Sequence, residues 1–130
     1  MEAERISLVQ NSFRLIKDPV SLTSSFYNNL FELDPTLRSL FKGDMQTQSK
    51  MLASALEFAI NGLSNLDSIK PTLAELGLRH KNYGVTNQHY SIVGAALLKT
   101  LQMELTDSFT DDVKKSWECI YNVLVDTMVA

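Results

Sequence analysis

The sequence predicts an all-α domain of about seven helices, and three observations carry that prediction. Apolar residues recur at intervals of three and four through most of the chain, the spacing that lines one face of a helix. No stretch alternates apolar and polar residues over a strand's length between turn signals. Only five glycines and three prolines interrupt 130 residues, which leaves long segments for helices joined by short loops.

The elements follow in order. Asp18-Pro19 can cap a helix and supply its first turn, because proline's missing N–H would be unpaired there in any case. That dipeptide divides a helix near 3–17 from one near 19–33. Asp34-Pro35 repeats the arrangement ahead of a short helical segment near 35–41, which stops at Lys42-Gly43. Asp44 can then cap a helix running to about Leu63. Asn65 to Ser68 reads as a connection, Pro71 fits the first turn of the next helix, and Gly84 marks the turn after it. Two long helices close the chain. One runs from about Asn87 to Leu105; the other starts at a Thr110 cap, followed by Asp111 and Asp112, which suit the positive end of a helix dipole. Thr106-Asp107-Ser108 is the loop between them. No internal repeat appears, so residues 1–130 read as a single domain.

Composition excludes several functions. Apolar residues make up 45% and charged residues 21%, ordinary for a globular protein and too polar for a membrane span. The formal charge is −3 with both signs mixed along the chain, so no basic stripe offers itself to nucleic acid. The first residues lack the apolar core and cleavage site of a secretory signal, and the one cysteine, Cys119, has no partner for a disulfide. A reducing cytoplasm is the expected location. A lone cysteine also rules out a Cys-x-x-Cys-His haem attachment and a cysteine-rich zinc site, so any cofactor is held without a covalent bond.

Polar residues that interrupt apolar faces are the candidates for chemistry. Ile69, Leu73, Leu76, His80 and Tyr83 share one face of a helix, and an imidazole on that stripe must be either a hydrogen-bonded structural histidine or a metal ligand. Gln48 begins a second stripe of Leu52, Ala55, Ala59 and Leu63; its amide is either buried with partners or, in a first turn, open to solvent. Tyr27 points inward on a third stripe with Val20, Thr23, Leu30 and Phe31. Its hydroxyl either bonds a backbone carbonyl or serves a site. His89 opens a helix after Asn87-Gln88 and suits an exposed or capping role. Trp117, Tyr121, Val113, Leu124 and Met128 describe a core face, and Met45, Met51 and Met103 read as adaptable core fillers.

Four strings place these residues in one pattern. SSFYNNLFELDPTLRSLFKGD (Ser24 to Asp44), LGLRHKNYGV (Leu76 to Val85), HYSIVGAALLKTL (His89 to Leu101) and FTDDVKKSWECIY (Phe109 to Tyr121) resemble the globins. The resemblance is greatest to bacterial single-domain haemoglobins and to the globin domain of flavohaemoglobins, with a secondary likeness to neuroglobin. It spans nearly the whole chain, and it implies a globin fold around a haem pocket with no separate D helix. The implied cofactor is non-covalent haem b with its iron.

By that resemblance His80 is the proximal iron ligand, Phe41 packs on the haem, and Pro35 turns the chain ahead of it. Gln48, thirty-two positions before His80, falls at the distal position; Leu52 continues the pocket wall, and Tyr27 takes the distal tyrosine position. Val85, Ile92 and Val93 are expected to contact the macrocycle, and Arg79 to reach a propionate. Tyr90 matches a tyrosine that, with a glutamate, polarises the proximal histidine in the bacterial family; that glutamate would lie beyond Ala130, so a full relay is not expected. Neuroglobin has a histidine where this chain has Gln48, so two-histidine coordination is not expected either.

The implied function is reversible binding of dioxygen, and of carbon monoxide and nitric oxide, at pentacoordinate ferrous iron, with Tyr27 and Gln48 slowing oxygen release. The alternative is a nitric oxide dioxygenase that draws electrons from a separate reductase. A third reading, a helical interaction domain without haem, is opposed by His80, Phe41 and the distal pair.

Overall fold

In the computed structural model, which describes residues 2–130, the predicted all-α architecture is present. Six α-helices form: α1 (Ala3–Arg14), α2 (Pro19–Leu33), α3 (Met45–Asn61), α4 (Leu66–Asn82), α5 (Asn87–Leu105) and α6 (Asp111–Val129). The segment Pro35–Leu40 is a 3-10 helix, and shorter 3-10 turns cover Gly62–Asn65 and Thr106–Ser108. No helix separates Leu40 from Met45, in agreement with the absent D helix.

The caps act as the sequence implies. Asp18 accepts from the backbone N–H groups of Val20 and Ser21 at 3.1 and 3.3 Å, Asp34 from Thr36 at 3.0 Å, and Thr110 from Val113 at 3.3 Å. Asp44 accepts from Gln46 and Thr47. The Thr47 hydroxyl bond, followed by these two backbone bonds, holds the Asp44 carboxyl below its ordinary pKa.

Elsewhere the sequence expectations need correction. α4 begins at Leu66, so Pro71 stands inside the helix and not in its first turn. Leu66 packs against Ala59, Ile69 and Leu73, and that burial recruits the residues ahead of the proline. Pro71 and Asp67 are both exposed, so the carbonyl deprived of its donor faces water. α1 ends at Arg14 and not near 17, because Leu15 and Ile16 tighten onto Ser12 and Phe13 and Ile16 turns into the core. Tyr83 is 70% exposed: its N–H reaches both Arg79 and His80 carbonyls, and this tightened last turn rotates the side chain off the buried stripe. Met51 and Met103 are 61% and 59% exposed, so they fill no core.

One main core joins α1, α2, α5 and α6, with Leu22, Leu30, Leu101, Trp117 and Ile120 nearly sealed. Trp117 donates to the Ser12 hydroxyl at 2.8 Å, which satisfies its indole N–H in the interior. The remaining two helices position the site. α3 packs on α2 and α4 packs on α6, while α3 and α4 meet chiefly through the Gly62–Asn65 turn. A cleft is thereby left between them.

Candidate functional site

The wall on the α2 side is aromatic. Tyr27 is 7% exposed; its ring lies edge-on to Phe26 and Phe41, each at 5.2 Å between centroids, and stacks on Phe31 at 6.0 Å. Phe41, on the chain just after the 3-10 helix, therefore meets Tyr27. The Tyr27 hydroxyl makes no hydrogen bond to any described residue, so the backbone-carbonyl alternative is not realised. No fully buried side-chain oxygen or nitrogen among the described residues lacks a partner; the unpaired Tyr27 oxygen must then open onto space. Burial pushes this phenol up to about 12, which keeps it a donor at neutral pH.

Gln48, in the first turn of α3, is half-buried, and its amide bonds no described residue. Leu52 and Ala55 continue its face, also half-buried. Sequence reading missed the pair that ties this wall to α2: the Thr23 hydroxyl donates to the Ser49 carbonyl at 2.7 Å, next to Gln48. The available signal was a threonine and a serine on otherwise buried positions.

His80 lies near the end of α4. It is half-buried, and its Nδ1 lies 2.7 Å from the Leu76 carbonyl. A carbonyl can only accept, so Nδ1 carries the proton, and in the neutral ring this leaves Nε2 with the lone pair a metal requires. After His80 the chain turns at Gly84, whose φ of +96° favours glycine, and the Val85 N–H returns to the His80 carbonyl at 3.0 Å. The Tyr90 ring stands 6.5 Å from the imidazole, and burial raises its pKa. Tyr121, also missed, donates to the Tyr90 carbonyl at 2.6 Å; Gly94 admits its ring where a Cβ would press on it at 2.8 Å.

Between α3 and α4 an open cleft of about 340 Å3 is lined by Ala55, Phe58, Leu73 and Leu76 together with the polar Ser54, Thr72, Glu75 and Arg79; Tyr27, Gln48 and His80 are not among its lining residues. Arg79 is exposed and pairs with Glu75 at 2.7 Å. Ile92 and Val93 are half-buried against the main core. His89 takes the capping role instead, its Nδ1 accepting from the Thr86 N–H at 3.0 Å. The structure thus joins Tyr27 to Phe41, His80 to Tyr90, and Gln48 to Leu52 along one face of α3.

A globin family model matches residues 24–128. The chain belongs to the globin family. A flavohemoprotein of Bacillus subtilis is 32% identical over 112 residues, which cover 84% of this chain and 28% of that protein; the globin described here spans about a third or less of such relatives. A bacterial globin from Campylobacter jejuni superposes with a TM-score of 0.86 at 28% identity, covering 98% of this chain and 94% of the other. A carbene transferase engineered from a candidate nitric oxide dioxygenase of Rhodothermus marinus gives 0.89 at 25% identity, with 99% and 91% covered. Haem b with its iron is the cofactor that this membership implies. The donor set of this globin fits it: one imidazole whose Nδ1 is held by a carbonyl, a mostly apolar cleft between α3 and α4, and Tyr27 and Gln48 without protein partners. Among the described residues no helix is long and apolar enough to cross a membrane.

Proposed function

We propose that this globin binds dioxygen reversibly, with His80 as the iron ligand and Tyr27 and Gln48 as donors that slow the release of the gas. The observation that carries the proposal is the Tyr27 hydroxyl, protonated, enclosed by three phenylalanines and unpaired within the protein. A phenol hydroxyl that opens onto space with no protein partner is free to donate to a ligand placed there. Haem iron, when bound, supplies reversible ligation of dioxygen, carbon monoxide or nitric oxide.

The chain's residues do the rest. The Leu76 carbonyl fixes the His80 ring so that Nε2 faces outward from α4. Phe41, Leu52, Val85, Tyr90, Ile92 and Val93 are the residues we assign to the macrocycle, where they exclude water that would promote oxidation. Arg79 would exchange Glu75 for a propionate, both being carboxylates within reach of one guanidinium. Tyr27 and Gln48 each offer an N–H or O–H to the gas and stabilise dioxygen more than carbon monoxide, which accumulates less negative charge. Ferrous iron and the free Cys119 suit a reducing compartment such as the cytoplasm.

The flavohemoprotein relatives favour a second reading, in which nitric oxide and dioxygen combine to nitrate and a separate reductase returns the electron. The test common to both readings is haem titration of the wild-type chain, His80→Ala and His89→Ala. A Soret band and an iron–histidine stretch are expected in wild type and His89→Ala, with the native stretch lost in His80→Ala. An unchanged stretch in His80→Ala would remove the assignment, and a chain that takes up no haem would remove both readings.

A further inference from the structure

We propose that Thr23 is a positioning residue for the gas site: its hydroxyl, bonded across to the Ser49 carbonyl of α3, sets where Gln48 holds its amide relative to Tyr27. This role rests on the gas-binding reading of Tyr27 and Gln48 and adds the device that keeps the two donors in register. Thr23 is 0% exposed and Ser49 3% exposed. Gln48 immediately precedes Ser49 on α3, and Tyr27 follows Thr23 by four residues on α2, one turn further along the same face. A single buried bond therefore joins the backbone beside one donor to the turn next to the other.

Local satisfaction does not account for this bond. The Thr23 hydroxyl also lies 2.9 Å from the Val20 carbonyl, three residues back on its own helix, and that contact alone would satisfy its one proton. The Ser49 carbonyl is nearer, at 2.7 Å, and a carbonyl has a second lone pair beyond the one a helical ladder uses. Beside it the Ser24 hydroxyl donates to the Ser49 hydroxyl at 3.2 Å. Two consecutive residues of α2 thus hold the backbone and the side chain of one residue of α3, which fixes both its position and its rotation.

The packing around these bonds leaves them the decision. From Met45 to Phe58 the buried residues are Ser49 and Ala53. Neither carries a side chain long enough to interlock with a neighbouring helix as a leucine would, so apolar contact defines the register of this stretch only weakly. The Gln48 side-chain amide bonds no described residue, and none of its own contacts would correct a displacement. Its placement is inherited from the backbone that Thr23 holds.

The test uses the haem-loaded ferrous protein and compares Thr23→Val, which keeps the shape and deletes the hydroxyl, with Thr23→Ser, which keeps the hydroxyl and deletes a methyl. Thr23→Val is expected to release dioxygen more than about twofold faster than wild type, without exceeding Gln48→Leu, and to leave carbon monoxide release within about twofold. Thr23→Ser should stay within about twofold of wild type for both gases. Added to Gln48→Leu, Thr23→Val should have no further effect, because the amide it acts through is already gone. Hydrogen exchange read by mass spectrometry should quicken in Thr23→Val over residues 49–53 and remain unchanged over α5. If Thr23→Val takes up no haem, Ser24→Ala, which removes the companion bond from an exposed position, takes its place under the same criteria. An oxygen off-rate or an exchange pattern unchanged from wild type, an effect that persists in the Gln48→Leu background, or equal acceleration in Thr23→Ser would overturn the positioning role and leave Gln48 a donor. An unchanged off-rate in Gln48→Leu itself would overturn the donor and the positioning role together.

Discussion

Tyr27→Phe separates a ligand-binding tyrosine from a core tyrosine because the two roles predict opposite pairs of results. The substitution keeps the ring and hence its contacts with Phe26, Phe31 and Phe41 at 5.2, 6.0 and 5.2 Å. It removes only a hydroxyl that has no partner in the protein, so unfolding free energy near neutral pH should move by less than ~0.5 kcal/mol. If that hydroxyl donates to dioxygen, its loss costs roughly 1–3 kcal/mol, the range of a charge-assisted bond, or about five- to a hundredfold faster oxygen release. Carbon monoxide release should change far less. Stopped-flow oxygen displacement and chemical denaturation on the same preparations decide it. An oxygen off-rate within about twofold of wild type, accompanied by a clear loss of stability, would identify Tyr27 as packing and refute the account of the pocket.

Three further outcomes follow from the same geometry. Gln48→Leu should also accelerate oxygen release, and the double variant with Tyr27→Phe should fall short of the product of the two single effects if both groups share one network; a double-mutant cycle measures this. Burial raises Tyr27 from the ordinary 10.0 to about 12, so its stabilising contribution is full below pH ~10 and is lost as pH rises toward 12, by about 1.4 kcal/mol per unit at most; denaturation curves of Tyr27→Phe should show a shallower decline than wild type across that window, and an identical slope would contradict it. The ferrous 130-residue chain, given nitric oxide and oxygen with no reductase, should yield about one nitrate per haem and then stop as the ferric form; continued nitrate formation with NADH alone, in a flavoprotein-free preparation, would reveal an electron path within the chain.

What was legible in the sequence was whatever local chemistry fixes at both ends. α2 runs from Pro19 to Leu33 as expected, because an aspartate followed by proline bounds it on each side. α5 likewise runs from Asn87 to Leu105 as expected. The start of α4 was misread because it is decided by Leu66 against Ala59, Ile69 and Leu73, a contact between residues on different elements. Tyr83 fits the periodicity of α4 but sits on a turn that no longer has that period. At the site, the inward direction of Tyr27 could be read from its stripe. The unpaired state of its hydroxyl could not, since it depends on what Phe31 and Phe41 leave open. The spacing of Tyr121 places it on a core face, and its bond to the Tyr90 carbonyl emerges only when α5 and α6 pack.

The two functional readings use the same distal donors, so the pocket's affinity alone does not choose between them. A hydrogen bond that holds dioxygen in place slows its escape, which serves storage, and equally lengthens the time in which nitric oxide can meet it, which serves detoxification. What distinguishes the two is the return of an electron after each turnover. That return needs a donor able to approach the haem, and the exposed rim of the cleft is where it would dock. Arg79 with Glu75 stands there, so Arg79→Glu should slow reduction of the ferric protein by an added reductase if the rim receives it. It should leave oxygen release near the wild-type rate, because Arg79 is exposed on α4 whereas Tyr27 and Gln48 lie on α2 and α3. A reductase-dependent rate unchanged by this charge reversal would move the docking site elsewhere and leave the rim to the propionate alone.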